Sequence, residues 1–80
     1  MEFRDFLIKE YGLRESSAKD YVGRLNGIIN KGIYKGEDEV TSVLKNVIER
    51  EFPKSKNHYL LTLERYITFQ KSRLKSQGHI

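Results

Sequence analysis

KSKNHYLLTLERYITFQKSRLK, residues 54–75, is the stretch on which the fold depends. Its periodicity predicts one long basic helix with an apolar stripe wide enough to pack against several other elements. The stripe consists of Tyr59, Leu60, Leu63, Tyr66, Ile67 and Leu74. Two more apolar residues, Leu61 and Phe69, fall on the polar side of this helix. Either another helix covers them, or they are displayed to a partner.

Two shorter amphipathic helices are predicted near the N-terminus. The first spans residues 2–11 and ends at Gly12, because glycine tolerates the positive φ of a helix end. Ser17 and Asp20 have the spacing of a capping box at the start of the second helix. That second helix carries an uninterrupted helical stripe, formed by Ala18, Tyr21, Val22, Leu25, Ile28 and Ile29.

The middle of the chain predicts a loop and a third helix. Residues 30–36 read as a loop with a buried apolar anchor, the pair Ile33 and Tyr34. Three acidic residues, 37–39, then suit a helix N-terminus, where the helix dipole favours negative charge. Pro53 ends this third helix, and Ser55 caps the fourth.

Four helices with short connections predict an all-α fold, a small four-helix bundle, in one domain over residues 1–76 with a disordered tail at 77–80. The 80 residues include no cysteine, so core packing must hold the domain together without disulfides or thiolate metal sites. No run approaches the roughly 20 apolar residues of a membrane span, and no signal-peptide core is present. We therefore expect a cytoplasmic protein without membrane contact.

Charge is distributed unevenly. The net charge of +4 arises from +2 over residues 1–36, −3 over residues 37–52 and +5 over residues 53–80. A basic excess of this size permits nucleic acid or another acidic partner.

A catalytic function finds no support in the sequence. His58 and His79 have no visible carboxylate or nucleophile partner, and no phosphate-binding, dinucleotide or metalloprotease motif occurs. The acidic residues 37–39 are better explained by the helix dipole than by acid–base or metal chemistry. We expect no enzyme, no catalytic residue, no cofactor, no metal and no small-molecule substrate.

Helix two offers a candidate binding surface. Gly23 and Gly27 lie one turn apart on its exposed face, where each costs about 1 kcal/mol relative to alanine. The presence of these glycines has two explanations. Either they are tolerated on the surface or allow another helix to pack closely, or they form a smooth strip that lets a nucleic-acid backbone approach. In the second case, Lys19, Arg24 and Asn26 reach phosphates or base edges.

Helix four offers another candidate binding surface. Asn57, His58, Thr62 and Arg65 combine hydrogen-bonding capacity with the basic character of this helix. The face is either an ordinary solvated surface or one that reads DNA.

Several segments carry a family resemblance. They are a short FxxFL helix at residues 3–7, SSAKDYVGRL at 16–25 with Ser17, Tyr21 and Leu25 at four-residue steps, an acidic start to the third helix, and NHYLLTLERYITF at 57–69. In this order they resemble the SAM-like, core-binding N-terminal domain of tyrosine recombinases and phage integrases. The resemblance spans nearly the whole chain.

In that family the domain is a four-helix bundle that clamps duplex DNA, with its second and fourth helices facing the major groove. The resemblance therefore implies DNA contacts from Ser17, Lys19, Arg24, Asn26, Lys54, Lys56, Asn57, His58 and Arg65. The family's catalytic domain has no counterpart in these residues, so none of the tyrosines is expected to be a nucleophile. The alternative is a small phage or mobile-element regulatory protein that binds another protein through Leu61 and Phe69.

Overall fold

The computed structural model describes residues 2–77, with side chains as far as Arg73, and contains four helices: α1 (Phe3–Tyr11), α2 (Glu15–Asn30), α3 (Ser42–Glu51) and α4 (Lys56–Gln77). No strand occurs in residues 2–77, so the predicted all-α, four-helix fold is confirmed. Among the described helices, none has the length and apolar character needed to cross a bilayer. Gln77, assigned to the tail, belongs to α4, whereas residues 78–80 of the predicted tail lie outside the described residues.

The predicted breakers act as expected. Gly12 adopts φ +64° after α1, and its amide donates to the Ile8 carbonyl at 3.0 Å, which satisfies an otherwise free helix-end acceptor. α3 ends two residues before Pro53. Ile33 lies buried in the loop between α2 and α3, as predicted. Ser55 precedes α4 and its carbonyl accepts the Tyr59 amide at 3.1 Å.

The predicted start of α2 is wrong. The helix begins at Glu15 after an extended Arg14, and no side chain caps it. Ser17 therefore lies inside the first turn, and its spacing to Asp20 does not form a capping box. Arg14, in extended backbone, takes the N-cap position, so the helix boundary lies three residues before Ser17.

The predicted acidic start of α3 is also wrong. Residues 37–39 belong to the loop, and the helix begins at Ser42. Thr41 is the N-cap, and its Oγ1 accepts the Leu44 amide at 3.2 Å. Glu37 instead accepts the Lys35 amide at 2.7 Å, which orders the loop locally.

α4 is the central element because it contributes to both clusters of buried side chains. The first cluster joins α1, α2 and the second half of α4, and comprises Phe3, Phe6, Leu7, Ala18, Leu25 and Phe69. The second joins the end of α2, the loop, α3 and the middle of α4, and comprises Ile28, Ile33, Leu44, Ile48, Leu63 and Ile67. The predicted stripe of α4 is thus confirmed as far as the side chains are described, but it forms only part of the buried surface.

Phe69 is buried by α1. It is 3% exposed, and its ring centre lies 5.7 Å from that of Phe3 and 5.1 Å from that of Phe6. Leu61, on the same helix, stays 37% exposed. The two residues therefore do not form a shared apolar surface; only Leu61 is accessible, and the alternative of a protein partner stays a prediction.

Candidate nucleic-acid interface

α2 and α4 pack antiparallel in a regular register. Three neighbouring pairs join them: Arg24 and Thr62, and Tyr21 and Arg65, are hydrogen-bonded, and Gly27 lies opposite Tyr59, whose ring would be 3.9 Å from a Cβ at that position. From the Gly27 pair to the Arg24 pair to the Tyr21 pair, the chain moves back three residues on α2 and forward three residues on α4 at each step. Since residues three apart lie near each other on one side of a helix, these pairs trace a single seam.

Arg24 is held at this seam by a short hydrogen-bond chain. Its Nη1 donates to Thr62 Oγ1 at 3.4 Å, and that hydroxyl donates to the His58 carbonyl at 2.8 Å. The guanidinium carbon also lies 5.1 Å from the centre of the Tyr21 ring. Thr62, one of the hydrogen-bonding side chains noted on this helix, is fully buried and holds Arg24 rather than facing solvent.

Arg65 reaches the same tyrosine from α4. Its Nη1 donates to Tyr21 Oη at 2.9 Å. Its guanidinium carbon lies 4.1 Å from the centre of the Tyr11 ring and 5.3 Å from that of Tyr21. Tyr11, Tyr21, Arg24 and Arg65 are called the arginine–tyrosine cluster below, and both arginines in it are half-buried.

Within the part of the chain that the structure describes, the positive charge of this cluster has no carboxylate partner. Among the described residues, the ion pairs join Arg4 to Asp5 and Glu15, and Glu51 to Lys31 and Arg50. Neither arginine of the cluster takes part in one. Their partners are neutral hydroxyls and aromatic rings, which position a guanidinium without cancelling its charge.

The two guanidinium charges reinforce each other. Because both lie near one Tyr21 ring, they are within roughly 10 Å of each other, about one Debye length at 0.1 M salt. Partial burial weakens the screening of both charges by solvent. The cluster therefore presents a fixed positive potential that favours an anion.

The residues at and just before the start of α4 lie next to the cluster along the chain. Lys54, Lys56, Asn57 and His58 are all exposed. The backbone carbonyl of His58 belongs to the hydrogen-bond chain that holds Arg24. Ser17 lies two turns before Arg24 on α2, hence on the same side of that helix, and is half-buried.

The other predicted residues of α2 lie elsewhere. At 3.6 residues per turn, Lys19 is about 140° and Asn26 about 160° around the helix from Arg24. Both are exposed. The basic residues of α2 therefore lie on two edges of the helix, Arg24 on one and Lys19 on the other.

The expected glycine strip is interrupted as well. A Cβ on Gly23 would meet nothing within 4 Å, whereas one on Gly27 would lie 3.9 Å from Tyr59 Cε2. Gly27 is thus part of the helix packing, and Gly23 alone offers the smooth, open surface.

Negative charge collects on a different side of α4. A hollow of about 260 Å³ is lined by Asp38, Glu39, Val40, Glu64, Ile67, Thr68 and Lys71. Nearby, burial raises the pKa of Tyr34 above its ordinary value, with a smaller contribution from the charges of Tyr66, Glu37 and Asp38. The acidic loop therefore lies apart from the arginine–tyrosine cluster.

The two tyrosines of the cluster were missed by sequence reasoning. Tyr21 counted as a stripe residue of α2, and Tyr11 as the end of α1. The three-residue spacing of Tyr21 and Arg24 was a visible signal, but the contact with Arg65 spans 44 positions.

In residues 2–77, no group of three side chains suited to a metal ion occurs. Comparison of the chain with protein-family models, with curated proteins and with solved structures gives no match.

Proposed function

We propose that this protein is a cytoplasmic module that binds duplex DNA along the seam between α2 and α4. The observation that carries the proposal is the arginine–tyrosine cluster, in which Arg24 and Arg65 keep their full charge. The SAM-like, core-binding type of the bundle is part of this proposal and rests on the sequence resemblance. By that resemblance the module serves a phage integrase or a related mobile element.

Each arginine is suited to a backbone phosphate. A guanidinium presents donors in a planar fork that matches two phosphate oxygens, and one donor of each arginine already bonds a hydroxyl that orients the rest. Because the side chains are half-buried, less conformational entropy is lost when the phosphate arrives. The cluster therefore fixes the register of the protein on the duplex.

The start of α4 adds contacts of two kinds. Lys54 and Lys56 supply mobile charges for phosphates, while Asn57 and His58 carry donors and acceptors for base edges. Ser17 adds a hydroxyl at the far end of the seam. Affinity is expected to come mainly from phosphates, and the limited base contacts add a modest sequence preference.

A salt titration tests the proposal. Fluorescence anisotropy with a labelled duplex of about 20 base pairs should show log K falling linearly with log salt, with a slope near −0.9 for each phosphate contacted. Arg24→Gln and Arg65→Gln should each make that slope shallower by about 0.9. Thermal unfolding of each variant, measured in parallel, ensures that binding is compared between folded proteins.

Two charge reversals are compared: one in the proposed interface, at Lys56, and a matched control outside it, at Lys45. Lys56→Glu removes an exposed lysine at the start of α4, and Lys45→Glu removes an exposed lysine on α3. The first should weaken binding more than the second. No binding at low salt, an affinity indifferent to salt, or equal effects of the two reversals would each rule out this interface.

A further inference from the structure

A second basic surface lies across α2 from the arginine–tyrosine cluster. A groove of about 710 Å³ runs between the start of α1, the middle of α2 and the end of α4. One cationic residue from each helix lines it: Arg4 from α1, Lys19 from α2 and Arg73 from α4. These three residues are called the second edge.

The cations of the second edge differ in how far they are neutralised. Arg4 is paired with Asp5 at 3.6 Å and with Glu15 at 3.5 Å. Lys19 and Arg73 are exposed and form no ion pair among the described residues. The guanidinium of Arg73 lies 5.5 Å from the centre of the Phe69 ring, which keeps it beside the groove.

The groove favours an anion over an apolar ligand. Its floor includes Phe3, Leu25 and Phe69, which are already at most 7% exposed. Since the hydrophobic gain scales with apolar area removed from water, an apolar ligand would gain little there. Lys19 and Arg73 still carry unneutralised charge, against one lining carboxylate, Glu2.

The arginine–tyrosine cluster, which forms the first edge of α2, and the second edge are one helix width apart. Lys19 and Arg24 lie about 140° apart around α2, whose diameter with side chains is 10–12 Å, close to the roughly 12 Å width of a major groove. Gly23 lies on the exposed arc between them and offers open space. The exposed carboxylate of Asp20 also lies on this arc, about 40° from Arg24. Cations nevertheless lie on both flanks of the helix, an arrangement that suits two phosphate backbones at once.

We propose that Lys19 and Arg73 contact phosphates of the second strand of the duplex whose first strand is held by Arg24 and Arg65. This inference rests on the proposed function and adds Arg73, which the sequence did not single out. Each edge then serves one strand, so duplex DNA engages both edges and single-stranded DNA only one.

The test compares duplex and single-stranded DNA of the same sequence. Loss of one phosphate contact, at a slope of −0.9, should lower duplex affinity about eightfold at 0.1 M salt. We expect this loss for Lys19→Gln and for Arg73→Gln, with single-strand affinity unchanged. Arg65→Gln should weaken both. Lys71→Gln is the matched control, because Lys71 is an exposed cation on α4 that lines the acidic hollow.

The outcomes separate the two proposals. If Lys19→Gln and Arg73→Gln behave like Lys71→Gln while Arg65→Gln weakens binding, the second edge is overturned and the first stands. If the two second-edge variants weaken single-strand and duplex binding equally, both edges follow one strand, and the strand assignment is overturned. If Arg65→Gln has no effect either, the proposed function itself fails.

Discussion

Replacing Phe69 with alanine tests whether α4 lies at the centre of the bundle. The side chain is 3% exposed and meets the Phe3 and Phe6 rings of α1 and the Tyr66 ring of α4. Removing a buried phenylalanine ring typically costs about 3–5 kcal/mol, the sum of lost transfer energy and the cavity left behind. A chain of this length has a total stability of about 4–12 kcal/mol, so the substitution removes a large part of it.

Urea unfolding followed by far-UV circular dichroism at low temperature measures this loss. Phe69→Leu accompanies the alanine variant, because it removes less volume and keeps a folded baseline if Phe69→Ala is largely unfolded. Leu61→Ala is the control: it truncates an apolar residue on the same helix that remains 37% exposed. Its expected cost is under about 1 kcal/mol.

The ordering of the variants decides the question. Phe69→Ala must lose the most stability, Phe69→Leu an intermediate amount, and Leu61→Ala the least. In thermal unfolding, each kcal/mol corresponds to about 4–8 °C at this size. A Leu61→Ala variant as unstable as Phe69→Ala would refute the packing of α1 over α4.

Four further substitutions test three local features: the open surface of α2, the cap of α3 and the titrating hydroxyl of Tyr34. Gly23→Ala should stabilise the protein by up to about 1 kcal/mol in urea unfolding, since alanine has the higher helix propensity and the site is open; destabilisation would mean that α2 is covered there. Thr41→Ala should cost about 1 kcal/mol by removing the cap of α3, whereas Ser17→Ala should change the stability by less than about 0.5 kcal/mol; equal losses would restore Ser17 as a cap. Tyr34→Phe should flatten the alkaline loss of stability. Because the pKa of Tyr34 is raised in the fold, its contribution is intact below the ordinary value of 10.0 and is lost as pH rises through the folded-state pKa. Parallel curves of stability against pH for the variant and the parent would contradict this.

The parts of the fold that were predicted correctly are those fixed by local chemistry. Glycine at a helix end and proline beyond one act through their own backbone, so Gly12 and Pro53 mark boundaries whatever surrounds them. Caps are less determined, because several residues compete for the same role. Thr41 caps α3 although three acidic residues precede it, since a cap needs a hydrogen bond at one position and the dipole asks only for nearby charge.

The burial of Phe69 could not be predicted from helical periodicity. A helical wheel finds one stripe, but α4 packs against two clusters on adjoining sides, so its buried surface is wider than any single stripe. Which neighbour covers the additional side depends on where α1 docks, more than 60 positions away in the chain. That information is tertiary, and the sequence left Phe69 open for this reason.

In the candidate site, too, some features follow from local helix geometry and others depend on tertiary packing. The separation of Arg24 from Asn26 follows from helix geometry alone, because two residues span about 200° of rotation. The meeting of Arg65 with Tyr11 and Tyr21 needs three helices in their final positions, and no local pattern contains it.

The arginines proposed to contact DNA also take part in the packing of α2 against α4. Thr62 is fully buried, yet its hydroxyl links Arg24 to the backbone of α4, and Arg65 packs on rings from both α1 and α2. A substitution at either arginine therefore removes a packing contact together with a charge, and loses stability as well as affinity. The exposed residues Lys54 and Lys56 carry charge without such packing. A true phosphate contact at the arginines must therefore change the salt slope of binding, since packing loss alone lowers affinity without altering the number of counterions released.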